Sequence, residues 1–384
     1  MSGSMSRRPV LTSIGASLGL VPLIAGTARA EGSVGIVETK KFTTQNFKLQ
    51  SGKVLPEMTI AYETYGKLAA DGRNAVLLTH GFTSSHHMAG RTTANGAEGS
   101  WDGLVGPGKA IDTDRLYVVS SNMLGSSYGS TYPASKNPAT GKPYGPDFPD
   151  IGLVDIVGAQ KTLLDGLGVK HLVAVAGPSF GGYQTFQWGV TYPDMMDGLV
   201  PVVTAPKGQG WNTGGEAAVK SLVDTLAKDP HWNGGWYYDN GGIVNGLTDM
   251  RVATLKRYGI DDQLAAQFPD KAAREAEIRK RAETWSKVFD GNSLVTLRKA
   301  SVRYDAEKDL AKIRAKVLYV LSRTDKVFPP KVLATDVMAK LKAAGVNADY
   351  YEIDSDFGHS ASGLDAAKWA PRLKTFMAGL EKRS

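Results

Sequence analysis

Six short apolar runs, five uninterrupted and the last broken only by Glu352, limit what this chain can fold into more than any other feature. They lie at Ala75 to Leu78, Leu116 to Val119, Leu172 to Ala176, Leu199 to Val203, Val317 to Leu321 and Tyr350 to Ile353. A half-exposed strand alternates apolar with polar residues, so runs apolar on both faces suit parallel strands covered from either side. Between them the pattern turns helical, over Leu153 to Leu167 and over Phe180 to Tyr192, which stops before Pro193. A closing helix is expected over Leu364 to Leu380, with a break or new start at Pro371. Strands alternating with helices predict an open, mostly parallel central sheet with helices on both faces, and right-handed crossovers leave few topologies for it. Upstream, Phe42 to Leu49 and Met58 to Tyr65 alternate on either side of Ser51-Gly52-Lys53 and predict an opening antiparallel pair.

Two stretches break this rhythm. Residues 122–149 are rich in Gly, Ser, Pro and Tyr and too long for an idle connection, which predicts a functional loop. Residues 206–301 carry helical, aromatic-rich sequence and are expected to form a cap over the carboxyl edge of the sheet, where open α/β folds bind ligands. The core is then expected at 31–205 and 302–384.

Chemistry enters with Gly177-Pro178-Ser179-Phe180-Gly181, a G-x-S-x-G turn that lifts a serine hydroxyl above a sheet. With 44 glycines among 384 residues, chance supplies about 0.3 such matches, so context must decide. A second match, Gly125-Ser126-Ser127-Tyr128-Gly129, runs on into Pro- and Gly-rich coil. Ser179 instead follows an apolar strand and opens a helical pattern, where free N–H groups favour developing negative charge. It is the expected nucleophile.

A serine needs a base to take its proton during attack, and six histidines are present. His80 is read as shaping the loop after a strand, His171 as a surface or core residue, and His231 as part of the cap. His86 and His87 are adjacent in a loop, where neighbouring side chains are expected to diverge, so no metal site is predicted. His359 follows the last strand ahead of the closing helix, the place the chain order Ser, acid, His requires. Asp325, after the preceding strand, is the expected acid holding the imidazole tautomer; Asp354 and Asp356 are the weaker candidates. Backbone N–H groups of Phe82 and Phe180 are expected to form the oxyanion hole.

Composition excludes other classes. There is no cysteine, hence no disulfide, thiolate metal site or Cys nucleophile. The net charge of +7 is spread along the chain without a basic stripe, so no nucleic-acid surface is expected. Residues 1–30 contain Arg7-Arg8, a mildly apolar run and Ala28-Arg29-Ala30, which predicts a signal peptide of twin-arginine type and a periplasmic or secreted protein. No later stretch approaches the ~20 apolar residues needed to span a bilayer, so stable membrane insertion is not expected.

These residues resemble the homoserine O-acetyltransferase family of α/β-hydrolase-fold enzymes from about Phe42 onward. The likeness is carried by Ile60 to Leu68, Ser121 to Gly125 with Gly129-Ser130-Thr131, Gly177 to Trp188, Phe289 to Ser293, Asp325 to Pro330 and Gly358-His359. The resemblance implies the α/β-hydrolase fold with an inserted helical cap, pairing of subunits through that cap, and transfer of an acyl group from acetyl coenzyme A to homoserine. Three departures stand out. Tyr132 replaces a glycine of the family's Gly-Ser-Thr-Gly-Pro loop, the cap arginines that hold the acceptor's carboxylate are read as replaced by Lys207 and Lys220, and the family has no export signal. Tyr132, Trp211 and Lys220 are accordingly the expected substrate contacts. Because coenzyme A is a cytoplasmic metabolite, the departures predict an exported hydrolase that discharges an acyl-serine to water, cleaving small carboxylic esters without a cofactor. Acyl transfer is the alternative reading, and a silent binding protein the third.

Overall fold

The computed structural model describes residues 32–208 and 214–381. The expected signal peptide therefore lies outside the described residues, as does Trp211. Among the described residues no helix is long and apolar enough to cross a membrane.

Eight strands form the central sheet: β1 (Lys40–Lys48), β2 (Val54–Tyr65), β3 (Ala75–Thr79), β4 (Tyr117–Ser121), β5 (Leu172–Pro178), β6 (Met196–Val202), β7 (Lys316–Ser322) and β8 (Ala348–Ile353). Their spatial order is β1-β2-β4-β3-β5-β6-β7-β8, with β2 antiparallel to both β1 and β4 and every later pair parallel. The six apolar runs are thus the six parallel strands, and the two alternating runs are the antiparallel edge.

Both faces are buried along β3 to β7, and for the expected reason, while the edge strand β8 is only partly covered. Leu77, Val175 and Tyr319 point into one core with α1 (Leu153–Gly166) and α2 (Phe180–Thr191). Val76, Leu78, Ala174 and Val320 point into the opposite core. Successive strand side chains alternate between faces, so a continuous apolar run feeds two cores at once. The region after β7 supplies α8 (Pro330–Ala343) to the first core. The second is closed by Trp101, from the irregular chain after β3, packed edge-on against Trp369 at 5.7 Å.

One expectation for the closing helix is corrected. The break falls at Asp365, between a short turn of helix and the long helix Ala366–Glu381, which runs through Pro371. Proline forfeits one N–H bond there, and burial of Trp369, Leu373, Phe376 and Met377 outweighs that loss.

Between β6 and β7 the chain leaves the sheet and forms the cap helices α3 (Gly215–Leu226), α4 (Val244–Arg257), α5 (Ile260–Leu264), α6 (Lys271–Ser286) and α7 (Gly291–Val302). Asp290 anchors this region. Its carboxylate caps α7 by accepting from Ser293 N at 2.7 Å and also accepts from the Tyr237 hydroxyl, while its own N–H donates to Ser127 Oγ at 3.0 Å. Ser127 belongs to the long loop after β4, which is itself tied down where Ala61 N donates to Ser130 Oγ and Thr59 N to Thr131 Oγ1. The loop's work in the fold is to brace the cap on β2.

A second anchor was not anticipated. His86 and His87 do not diverge; both face Glu63, a fully buried residue of β2. His87 Nδ1 lies 3.1 Å from Glu63 Oε2, and the Tyr65 hydroxyl donates to the same oxygen at 2.7 Å. His86 Nε2 is 3.1 Å from Thr39 Oγ1, and its carbonyl accepts from Ser120 Oγ at 2.6 Å. The chain leaving β3 is thereby stitched to two neighbouring strands, β2 and β4, and to Thr39 just before β1. The hydrogen bond to Glu63 raises the His87 pKa, whereas burial lowers that of His86 to about 4.

Two tests follow from these anchors. Asp290→Ala removes a buried cap and orphans the Tyr237 hydroxyl, and is expected to cost about 2 kcal/mol, read as a lowered urea midpoint at unchanged slope. His87 binds its proton more tightly folded than unfolded, so its pair with Glu63 adds stability below about pH 6.5 and loses it as the pH rises through the folded value. The melting-temperature gap between the native protein and His87→Gln should therefore be widest below the ordinary histidine pKa and close as the pH rises into the alkaline range; a gap that ignores pH refutes the ion pair.

Candidate active site

The turn from β5 into α2 leaves little freedom. A Cβ on Gly177 would sit 2.1 Å from Thr79 Oγ1 and 2.4 Å from Thr79 O, and one on Gly181 would sit 2.6 Å from Thr79 O. Glycine at both positions lets β3 approach the turn, and the chain between them is forced over sharply. Ser179 takes φ 58° and ψ −118°, a conformation that costs a side-chain-bearing residue about 1–3 kcal/mol. Neighbours hold it there: Ser179 N donates to Val202 O at 2.8 Å, and Thr204 Oγ1 donates to Ser179 O at 2.8 Å. Behind the turn a buried polar chain, Trp188 to Gln160 to Gln184 to His80 O, ties α2 to the end of β3.

His359 arrives on a turn after β8, with Nε2 2.9 Å from Ser179 Oγ and Nδ1 2.9 Å from Asp325 Oδ2. Three residues spread over 181 positions of sequence meet in one hydrogen-bonded line. The Asp325 carboxylate is fully buried yet satisfied, because its other oxygen accepts from Val327 N at 2.7 Å and Phe328 N at 3.1 Å. The imidazole is gripped from two sides, by Phe328 at 5.7 Å and Tyr258 at 4.9 Å between ring centroids. Asp354 and Asp356 instead stand in solvent, each bonded to Arg323 at 2.6 Å.

The remaining histidines are elsewhere. His80 bonds Asn122 Oδ1 and Gly81 O beneath the loop, His171 pairs with Asp197, and His231 with Asp229 at the cap surface. Ser127 of the second G-x-S-x-G match is committed to Asp290.

Above Ser179 opens a cavity of about 310 Å³, lined by Gly81, Phe82, Thr83, Trp101, Tyr258 and His359 among others. Phe82 and Phe180 flank the serine with ring centroids 5.7 Å apart, and a Cβ on Gly81 would lie 3.8 Å from Ser179 Cβ. A second cavity of about 310 Å³ continues under the cap and shares Phe82, Thr83, Arg251 and Tyr258 with the first.

The expected substrate contacts are corrected. Lys220 is exposed on α3 and paired with Asp224, and Lys207 is at the surface paired with Asp305. Tyr132 lines neither cavity, because its loop is bonded down onto β2. Of the cap aromatics, Trp232 and Tyr237 are packed in the core, and Trp285 reaches the cavity wall.

The residue that does face the serine from the cap is Arg251, on α4. Its Nη1 donates to Thr83 Oγ1 at 2.7 Å, its guanidinium lies 4.9 Å from the Trp285 ring centroid, and its Nε is buried without a partner. Burial lowers its pKa. A guanidinium stays charged regardless, and among the described residues no carboxylate pairs with it. Helical spacing places Arg251 seven residues, or two turns, before Tyr258, so both face the same cavity; that periodicity was the available signal for it.

Comparison with known proteins supplies the relationship. A family model described as alpha/beta hydrolase fold matches residues 74–366. The homoserine O-acetyltransferase of Moorella thermoacetica is 38% identical over 374 residues, which cover 90% of this chain and 98% of that protein. Among solved structures, esterase E22 superposes with a TM-score of 0.81 at 30% identity, over 89% of this chain and 100% of that one. The homoserine O-acetyltransferase from Bacillus anthracis superposes equally well, at 0.81, with 28% identity over 89% and 98%. The expectation of an ester hydrolase discharging to water is overturned by this: the Moorella protein, matched at 38% along nearly its whole length, is an acyl-transferring enzyme by name. This chain is an enzyme of the α/β-hydrolase fold and belongs to the homoserine O-acetyltransferase family.

Proposed function

We propose that the protein is an O-acyltransferase, passing an acyl group from a thioester such as acetyl coenzyme A, through Ser179, to the hydroxyl of an acceptor that carries a carboxylate. The observation that carries this reading is Arg251, a buried guanidinium without a protein counter-ion at the wall of the cavity that holds Ser179. Burying a cation costs far more than a neutral side chain unless an anion joins it, so such a group is best explained by an anionic ligand. A carboxylate accepts a guanidinium's paired N–H groups in plane, and the Trp285 ring beneath holds that plane steady.

In the first half of the reaction His359 Nε2 takes the Ser179 proton as Oγ bonds to the thioester carbon. The N–H groups of Phe82 and Phe180 stabilise the oxyanion that forms, and its collapse breaks the C–S bond, the thiol leaving with the proton from His359. In the second half the acceptor hydroxyl gives its proton to His359, its oxygen bonds to the acyl carbon, and the C–Oγ bond breaks with return of the proton to Ser179. Asp325 keeps Nδ1–H of His359 pointed away from the serine in both halves, and so keeps Nε2 available.

Release of free thiol from acetyl coenzyme A should depend on an added hydroxycarboxylate acceptor and fall by about 10⁴-fold or more in Ser179→Ala. Thiol release that proceeds at the same rate without acceptor, yielding acetate, is the result that refutes transfer. Arg251→Ala should raise the acceptor KM by about 10- to 100-fold, the equivalent of ~1.5–3 kcal/mol for a charge-assisted pair, and leave the thioester KM nearly unchanged. Arg251→Lys should recover part of this, because an ammonium lacks the planar fork.

A further inference from the structure

Charge around Ser179 is one-sided. The two joined cavities are lined by three cationic side chains, Arg251, Arg257 and Arg298, and among the described residues by no aspartate or glutamate. The cap stretch outside the described residues, 209–213, reads Gln-Gly-Trp-Asn-Thr and brings no acid either. Asp325 is sealed behind His359 and spent on it. Two other carboxylates, Asp262 and Asp356, line a neighbouring recess that shares Arg257, Tyr258 and His359 with these cavities. There they face Arg257 and Lys326, and Asp356 is bonded to Arg323.

The neutral groups of the cavity supply dipoles and no negative charge. The Gln263 amide donates to the carbonyls of Tyr258 and Phe357, and Ser362 Oγ accepts from Trp101 Nε1. The face of Trp285 that could hold a cation is covered by Arg251. An acceptor carrying both a carboxylate and an ammonium would have its carboxylate drawn to Arg251 and its ammonium placed in the same confined space without a counter-charge. Like charges in a water-poor pocket repel strongly, and a desolvated ammonium without an anion is costly.

We propose that the acceptor is a hydroxycarboxylate that lacks an ammonium group, so that this member of the family O-acylates a hydroxy acid rather than an amino acid. The inference rests on the transfer reading above and refines its acceptor. The carboxylate lies at the junction of the two cavities on Arg251, and the hydroxyl reaches the acyl carbon on Ser179. There the O–H proton passes to His359 Nε2, a new C–O ester bond forms, and the bond from the acyl carbon to Ser179 Oγ breaks.

The full chain, supplied with acetyl coenzyme A, is offered three acceptors with the same spacing of hydroxyl to end group: 4-hydroxybutyrate, L-homoserine and 3-amino-1-propanol. Thiol release and the mass of the ester product are recorded. The expected result is a kcat/KM for 4-hydroxybutyrate about tenfold or more above that for homoserine, with 3-amino-1-propanol the poorest of the three. Homoserine equal to or better than 4-hydroxybutyrate overturns the proposal while leaving acyl transfer intact. No stimulation by any acceptor overturns transfer itself and this proposal with it. Within Arg251→Gln, the preference for 4-hydroxybutyrate over uncharged 1-propanol should be lost; this ratio is internal to the variant and insensitive to how much of it folds. A preference that survives the substitution also overturns the proposal.

Discussion

The structure depends on how closely β3 approaches the turn between β5 and α2. Thr79 lies against Gly177 and Gly181 so tightly that a methyl group at either position would overlap its oxygens. With both flanks closed, Ser179 has one way to pass between them, at a positive φ that points its hydroxyl out of the sheet. The strain is small beside the two cores that impose it, and it fixes where that hydroxyl stands. Everything else in the site is arranged around that hydroxyl: the imidazole 2.9 Å away, the loop after β3 beside it, and the cap above.

The loop and the cap are held by buried polar anchors rather than by apolar packing alone. Glu63 gathers His86, His87, Tyr65 and Thr39 under the loop, and Asp290 gathers Tyr237, Ser127 and the start of α7 under the cap. Hydrogen-bonded clusters of this kind are directional, so they set where a segment sits more sharply than apolar contact does. Thr83 links the two systems, since its hydroxyl accepts from Arg251 and its carbonyl from Trp285, both residues of the cap. Thr83 thus bonds the loop to two cap residues at the edge of the cavity.

The strands and the line Ser179, His359, Asp325 were readable because each rests on a local pattern. Continuous apolar runs mark doubly covered strands, and a glycine-flanked serine between strand and helix marks a tight turn. The lining of the cavity was not readable in the same way. Lys220 and Arg251 are both cations on cap helices, and the difference between an exposed salt bridge and a buried guanidinium lies in which face each helix turns inward. Tyr132 stands in a segment that resembles a ligand loop, but hydrogen bonds to β2 turn that loop toward the cap. His86 and His87 were expected to diverge as neighbours; the irregular chain that carries them lets both rings turn toward one buried carboxylate.

By itself the sequence determined the layered α/β architecture and singled out Ser179, Asp325 and His359 as a set, because these follow from periodicities and turn chemistry that act over a few residues. Tertiary structure alone decided the electrostatics of the cavity: which cation loses its water and stands without a counter-ion, and that no carboxylate stands near enough to balance it among the described residues. Charge balance in a pocket is a sum over residues brought together from distant parts of the chain, and no window of sequence contains that sum.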